Sequence, residues 1–311
     1  MLREFTCANP ICGIKMQDFE LVSTGNVSAA RCHFRTIGMG TINYRKAAKR
    51  LADEAFSTGL FETSLGLDET YLRLNSKEFW NNHKKILKAR VPGFGWWIWK
   101  SEFVRLCLSE IPDGDLLFYM DAGSYIGKNS TDIEEISKFI QLAAHAGLVG
   151  SNSQTFLEKA YSSRLVLDHL GLSEELRNQN QYYAGFLIIQ KQYLTLDFVN
   201  QWSHLTCKEG HKFLFPPLNT KEDLGFVHHM YDQAILSPLM KLFGAKAVEV
   251  GDGSKSGSIR MTRHRYAFSA QSRNTTEIFL FRLISYLSKI RLAAERRIFR
   301  NSLHIKPNPH S

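Results

Sequence analysis

Two carboxylates and one ammonium stand where this chain can do chemistry. Asp121 ends the run Leu116–Met120, whose only polar side-chain atom is the Tyr119 hydroxyl, and Ala122 and Gly123 follow it. A run that apolar reads as a strand buried on both faces. A carboxylate at the C-terminal tip of such a strand stands where open α/β sheets bind ligands, and small residues behind it let a bulky ligand approach the backbone. The alternative is that Asp121 caps the next turn, although Pro112-Asp113-Gly114-Asp115 already turns the chain ahead of the strand. Asp232 is the second carboxylate. It opens the helical stretch Gln233 to Met240, where Asp is also a natural N-cap. Glu222 and Asp223 stand in reserve.

Lys100 closes the run Gly93 to Lys100, GFGWWIWK. Three Trp in four residues are hard for a strand to bury equally, because successive side chains alternate faces. An exposed indole such as Trp96 stacks on a base or sugar ring, and Lys100 meets a phosphate as a point charge. Packing of Trp96, Trp97 and Trp99 at a domain edge is the competing reading. Gly93 and Gly95 keep the backbone free to wrap a ligand. Tyr183-Ala184-Gly185 reads either as a backbone platform for a ligand or as a tight turn into the strand Phe186–Ile189, with Asn180 just before it. His228 and His229 are ordinary satisfied imidazoles or site members. His264 has more context, because Arg263 and Arg265 flank it and Arg260 lies close by. Guanidinium forks suit a diphosphate geometrically; a solvated charged face is the alternative.

The elements that must position these residues follow from the remaining pattern. With 311 residues, 44% hydrophobic and 22% charged, the chain has enough material for a full-sized core. Its formal charge of +9 is concentrated from Arg260 onward, where Glu277 and Glu295 alone oppose the basic residues. The body is close to neutral, which argues against a nucleic-acid surface across the fold. Cys7, Cys12, Cys32, Cys107 and Cys207 form neither a disulfide framework nor a zinc-ribbon spacing. Scattered cysteines, no signal-peptide pattern and no long apolar run lead us to expect a cytoplasmic protein, peripheral at most on the inner face of the membrane.

Phe19–Ser23 reads as a first strand with Thr24-Gly25-Asn26 behind it. Tyr44 to Thr58 is an amphipathic helix, with Ala47, Ala48, Leu51, Ala52 and Ala55 on its packed face and Lys46, Lys49, Arg50, Asp53 and Glu54 toward solvent. Leu60–Leu67 is a strand and loop. Helices are expected over Ser101–Glu110 with Ser101 as N-cap, over Asp132–Ala144 with Thr131 or Asp132 as cap, over Leu157–Leu170 and over 191–206. Leu148-Val149-Gly150 and 246–250 read as short strands. Gly251–Gly257 is a loop without phosphate-loop spacing. Helices alternating with short strands define an α/β layer fold.

GFGWWIWKS (Gly93–Ser101), DGDLLFYMDAG (Asp113–Gly123) and YDQAILSPL (Tyr231–Leu239) occur in that order. Together with Tyr183-Ala184-Gly185 they resemble bacterial GT-A type nucleotide-sugar glycosyltransferases of capsule, O-antigen or cell-surface glycan assembly. The likeness spans roughly residues 20 to 265. It implies a GT-A-like, Rossmann-like catalytic domain over 1–275 with a mostly parallel central sheet flanked by helices. It implies a nucleotide-diphosphate sugar donor, with a UDP-sugar favoured, and a glycan or lipid-linked acceptor. Asp121 falls at the first Asp of the family's DxD motif, and Gly123 replaces the second. A hard divalent cation, Mn²⁺ or Mg²⁺, wants oxygen ligands, and Gly123 supplies none; the cation is expected on the diphosphate and Asp121, with His264 as a further ligand, or else basic side chains neutralise the diphosphate instead. Lys100, Trp96, Tyr183, Gly185, Arg263 and Arg265 are expected to hold the donor, and Asp232 to face the acceptor as catalytic carboxylate.

Residues 276–311 carry an apolar stripe (Phe279, Leu280, Leu283, Ile284, Leu287, Ile290) beside Arg282, Lys289, Arg291, Arg296, Arg297 and Arg300. This reads as a C-terminal amphipathic helix for an anionic membrane surface or for docking on protein. Two other functions remain open at this level: a sugar nucleotidyltransferase, and a non-catalytic nucleotide- or glycan-binding protein.

Overall fold

Helix and strand alternate as the sequence pattern requires. The computed structural model describes residues 30–88, 93–217, 219–252 and 257–261. Its strands are β1 (Cys32–Gly38), β2 (Thr63–Asp68), β3 (Leu116–Met120), β4 (Tyr125–Ile126), β5 (Leu148–Leu157), β6 (Asn180–Gln190), β7 (Lys246–Val248), β8 (Gly251–Asp252) and β9 (Ile259–Met261). The helices are α1 (Ile42–Phe56), α2 (Glu69–Asn75), α3 (Lys77–Lys88), α4 (Gly93–Trp96), α5 (Trp99–Glu110), α6 (Ser130–Ala146), α7 (Glu158–Tyr161), α8 (Arg164–His169), α9 (Glu174–Arg177), α10 (Tyr193–Cys207) and α11 (Gln233–Leu242).

The main sheet has the order β2-β1-β3-β6-β5-β7. Strand β1 pairs parallel with β2 and β3, β5 pairs parallel with β7, and β6 runs antiparallel to both β3 and β5. One reversed strand therefore sits inside an otherwise parallel sheet, a Rossmann-like, GT-A-like α/β arrangement. A small second sheet, β4-β9-β8, lies just beyond Asp121 in the chain. The reversed strand matters for the site. Met120 at the end of β3 pairs with Phe186, so β6 residues before Phe186 extend past the tip of β3. Strand β5 follows β6 outward through two register shifts, pairing Asn152 with Tyr182 and Leu157 with Asn180.

The centre of the sheet is buried on both faces, while the edge strands β2 and β7 are partly exposed. Leu117, Tyr119, Leu187 and Ile189 pack with Phe103, Val104 and Cys107 of α5 and with Phe198 and Trp202 of α10. Leu116, Phe118, Met120, Phe186 and Ile188 pack with Phe34, Leu51, Ala52 and Phe139. Strand β3 thus divides its side chains between two cores by the two-residue period of a strand.

Several local expectations require correction. The first described strand is β1, whose His33 and Arg35 are buried among polar partners; the expected Phe19–Ser23 strand lies outside the described residues. Helix α1 has the expected packed face, but Glu54 is buried too. It ion-pairs with Arg50 at 2.7 Å and accepts from the Ile126 amide at 3.3 Å. Helix α5 begins at Trp99, so Ser101 lies inside its first turn, and its hydroxyl finds no partner among the described residues. Asn129 caps α6 through the Asp132 amide. The stretch Leu157–Leu170 breaks into α7 and α8 at Ser162-Ser163, where the Ser163 side chain caps α8. Tyr183-Ala184-Gly185 is no turn; it lies within β6. The expected domain boundary at 275 and the helix over 276–311 fall outside the described residues.

Helix α1 lies almost on the sheet backbone. A Cβ at Gly66 would collide with the Ala48 carbonyl of α1, and one at Gly38 with the Tyr44 carbonyl. Gly66→Ala is expected to force α1 away from β2 and to destabilise by about 1–3 kcal/mol, the usual range for overpacking. A denaturant midpoint equal to that of the wild type would show that the layer tolerates the shift.

Candidate active site

Strand β3 delivers Asp121 to the crevice end of the sheet, where the Asp121 amide donates to the Gly185 carbonyl at 3.0 Å. Tyr119 shares its strand face by the two-residue period, and its hydroxyl donates to Asp121 Oδ1 at 2.5 Å. Burial, and then the Asp121 charge, hold the Tyr119 phenol protonated by pushing its pKa up. The loop after Asp121 is braced from α1: Arg50 donates to the carbonyls of Ala122 at 3.2 Å and Ser124 at 2.7 Å. Arg50 also stacks over the Tyr125 ring at 4.5 Å.

Lys100 enters from the first turn of α5 and is 2% exposed. Its ammonium has three donors and meets three oxygen groups. Nζ stands 3.2 Å from Asp121 Oδ1, 3.0 Å from Asp232 Oδ2 and 3.1 Å from the Ala184 carbonyl oxygen. Burial alone would lower the lysine pKa; the charges of Asp121 and Asp232 outweigh it, and the net shift is upward. A cation in apolar surroundings is otherwise prohibitive, so the two carboxylates are what keep it there. Lys100 was expected to meet a phosphate as a point charge; in the structure its ammonium is enclosed between the two aspartates.

Asp232 is 5% exposed, and its side chain caps nothing. It faces Lys100 at 3.0 Å, and the Gln233 amide also favours its charged form. The Lys100 contact is an ion pair without good hydrogen-bond alignment, and Oδ2 has no aligned partner among the described residues. Burial pushes the Asp232 carboxyl up to about 6, with Lys100 opposing and Asp121 adding to the rise. Asp121 differs from it in access, because its side chain is 37% exposed. One carboxylate is open and the other is enclosed, and both are tied to one ammonium.

Behind them stands a polar network that the sequence reading missed. Gln233 donates to Gln181 at 2.8 Å, and Gln181 donates to Glu158 at 3.1 Å. Glu158, fully buried, also receives Ser162, Ser237 and Lys241 at 2.5–2.6 Å. This network fixes α11 against β6 and so fixes the position of Asp232. Its sequence signal was weak, because single polar residues in short helices show no periodicity.

The remaining candidates separate clearly. Gly185 lies beside Asp121: a Cβ there would stand 3.1 Å from Asp121 Oδ2 and 3.5 Å from Met261 Sδ. Tyr183 is half-buried, with its ring 6.3 Å from Phe156. Trp96 and Trp99 are buried at 8% and 5%, and the Trp99 indole donates to the Gly93 carbonyl at 2.8 Å. Trp97 is half-buried. The run is no strand; Phe94, Trp96 and Trp97 have φ of 53°, 50° and 61°, and Tyr231 ahead of Asp232 has 46°. Such left-handed backbone costs roughly 1–3 kcal/mol at each non-glycine residue and persists only where the surroundings impose it. Glu222 is taken up by Ser163 and the Arg164 amide, and Asp223 lies near Arg177 and Arg164. His229 accepts from the Ser163 amide, and burial pushes its imidazole down to about 3. His228 packs on Tyr161 at 5.1 Å. Arg263, His264 and Arg265 lie outside the described residues.

Among the described residues no group of three His, Cys, Asp or Glu side chains converges as a metal site. Asp121 is nevertheless open, and Gly185 leaves room against its Oδ2. Mg²⁺ is usually held by one or two carboxylates together with substrate phosphates, and Asp121 fits that arrangement as a single protein ligand. A separate depression of about 440 Å³ is lined by residues that include His83, Glu102, Arg105 and Cys207, and it contains neither aspartate. Among the described residues no helix is long and apolar enough to cross a membrane.

No protein-family model and no curated protein matches the chain. Among solved structures, the apo form of mouse xyloside xylosyltransferase 1 is similar at 10% identity, covering 71% of this chain and 86% of that one, with a TM-score of 0.35.

The raised Asp232 carboxyl has a consequence for stability. Between about 3.8 and about 6 the folded state binds a proton that the unfolded state does not, so folding is favoured as pH falls through that window. Asp232→Asn removes this linkage. Wild-type stability measured relative to Asp232→Asn is expected to rise by about 3 kcal/mol from pH 7 to pH 3.5. A difference that stays flat across the window would show that Asp232 ionises normally.

Proposed function

We propose that this protein is a glycosyltransferase that moves a sugar from a nucleotide-diphosphate sugar, with a UDP-sugar favoured, to a hydroxyl of a glycan or lipid-linked acceptor. The observation that carries the reading is Asp232: a buried carboxylate beside the Lys100 ammonium, with a pKa near 6. A general base works best with a pKa near the operating pH. In this reading Asp232 accepts the proton of the acceptor hydroxyl as that oxygen bonds to the anomeric carbon. The bond from that carbon to the diphosphate oxygen breaks, and the nucleoside diphosphate leaves with the bonding pair. Lys100 positions both carboxylates, and Tyr119 orients Asp121.

Asp121 lies on the donor side, where its open oxygen would hold a divalent cation against the diphosphate. Such a cation, Mn²⁺ or Mg²⁺, supplies charge neutralisation to the leaving group. Arg263, His264 and Arg265 are our choice to meet the diphosphate, because guanidinium forks suit it geometrically and the sequence gathers them within three residues. Tyr183 and Gly185 form the backbone wall on which the donor lies.

One observation favours a second reading. Gly38-Met39-Gly40 turns from β1 into α1, and Gly40 has φ +84°. A sugar nucleotidyltransferase needs a glycine-rich loop at that place. Against it, the Gly40 amide is directed to the Glu69 carboxylate at 3.4 Å, where a phosphate would have to sit.

The test is turnover of a panel of nucleotide sugars, followed as release of nucleoside diphosphate. Asp232→Asn is expected to keep nucleoside-diphosphate affinity while transfer falls by about 10²–10⁴-fold. Asp121→Asn is expected to lose both donor affinity and cation response. Full activity in either variant, or formation of nucleotide sugar from nucleoside triphosphate and sugar phosphate, would overturn the assignment.

We further propose that residues 277–300 bring the enzyme to an anionic membrane surface. Each Lys or Arg near such a surface contributes about 1 kcal/mol, and salt should weaken the attachment. Full-length protein is expected to pellet with phosphatidylserine vesicles while a 1–275 fragment stays in solution. Equal behaviour of the two would assign the segment to protein contacts.

A further inference from the structure

Beside Asp232 stands an aromatic wall that the chemistry so far leaves unused. Trp97 and Tyr231 are half-buried, with ring centroids 6.5 Å apart and planes 37° from each other. Trp96 and Phe215 pack against that pair: Trp96 lies 4.9 Å from Phe215 and 6.2 Å from Tyr231, and Phe215 lies 6.1 Å from Tyr231. These contacts hold the two rings in place. The Trp97 ring also lies directly on Gly93, where any Cβ would collide with it.

The backbone is bent to make this wall. Trp96, Trp97 and Tyr231 are all in the left-handed region, which non-glycine residues rarely adopt. Three aromatic residues from two distant segments are each held in unfavourable backbone so that their rings meet. Strain of this kind concentrates at ligand-binding positions. Neither the Trp97 indole N–H nor the Tyr231 hydroxyl makes a hydrogen bond among the described residues, and neither is buried. Two polar edges therefore remain available beside two apolar ring faces. Tyr231 is the residue immediately before the enclosed carboxylate.

The geometry points to an acceptor subsite in which a pyranose ring lies on Trp97 and Tyr231, with one of its hydroxyls turned toward Asp232. This inference rests on the transferase reading for its placement but not for its chemistry. A pyranose has an apolar C–H face that covers an aromatic ring, and a rim of hydroxyls for the indole N–H and the phenol. A nucleobase also stacks on aromatics, but the donor side of the crevice belongs to Asp121 and Gly185. The wall belongs to the side of Asp232.

The test separates sugar from nucleotide. Wild-type protein is examined by saturation-transfer NMR against p-nitrophenyl and methyl glycosides of glucose, galactose, mannose and xylose. Pyranose C–H signals are expected for at least one methyl glycoside. They should be lost in Trp97→Ala and kept in Trp97→Phe, which preserves a ring. Tyr231→Phe is expected to retain the stack and to weaken binding about threefold through loss of the phenol. Calorimetry with UDP should give an affinity within about twofold of wild type in Trp97→Ala. Thermal melts of both Trp97 variants report folding separately, and Trp97→Phe carries the decision if Trp97→Ala does not fold: glycoside binding should then persist. Absence of glycoside signals in the wild type, unchanged signals in Trp97→Ala, loss of binding in Trp97→Phe despite normal folding, or a large fall in UDP affinity in Trp97→Ala would each overturn the subsite. Failure of every nucleotide sugar to turn over, with glycoside binding intact, would sink the transferase reading while leaving the sugar platform standing.

Discussion

Everything in this site depends on one buried ammonium. Lys100 carries its charge into the protein on the first turn of α5, and it is tolerated there because Asp121, Asp232 and the Ala184 carbonyl surround Nζ within 3.2 Å. Those oxygens come from the tip of β3, the entrance of α11 and the projecting part of β6. A single point charge therefore gathers three elements that share no local sequence. Removing it would leave two carboxylates facing each other in poor solvent, a more serious defect than the loss of one contact. The same arrangement separates the aspartates by role. Asp121 stays partly in water with a tyrosine proton on one oxygen, while Asp232 is enclosed and proton-hungry. Burial that raises the Asp232 carboxyl toward neutral pH suits it to take a proton.

The reversed strand β6 is the second constraint. Were it parallel to β3, its chain would leave the sheet at the same level as Asp121. Because it runs the other way, Tyr183, Ala184 and Gly185 approach from outside the sheet and pass directly beside Asp121. The Ala184 carbonyl can then face Lys100, and the glycine leaves room at Asp121 Oδ2. The Gln233–Gln181–Glu158 network ties the same strand to α11. Strand reversal thus joins the donor and acceptor sides of the proposed crevice through a rigid ladder and not through a loop.

What the sequence made legible follows from these facts. Strand β3 and the position of Asp121 were readable because a fully apolar run bounded by a turn has few other solutions. Helix α1 was readable because its alanines and Leu51 repeat on one face. Strand β1 was not: His33 and Arg35 break its apolar pattern, and they are buried because Asp115, just ahead of β3, and Thr63 of β2 receive them. The fate of Lys100 was equally hidden, since a lysine after three tryptophans looks like a surface charge until its two aspartates arrive from elsewhere in the chain. Burial of two of the three tryptophans was among the readings, but the bend of the run was not legible, because nothing in a sequence announces left-handed backbone at non-glycine positions. Asp232 shows the converse: its residue type and place suited an N-cap, and tertiary electrostatics claimed it instead.

The charge balance of the described cluster bears on the donor. Lys100 offsets one of its two carboxylates, so with Asp232 ionised the group carries a net negative charge. A diphosphate approaching Asp121 meets that charge at short range, and Coulomb repulsion between groups a few Å apart is worth several kcal/mol away from bulk water. Positive charge has to come from somewhere before an anionic donor can lie there. The chain provides two routes: an open Asp121 oxygen that suits a cation, and the basic residues that the sequence gathers after Arg260. Gly123, which offers no side-chain ligand, shifts weight from the first route to the second. The formal charge of +9 is concentrated after Arg260, so in the proposed reading those residues are the electrostatic complement of the two aspartates.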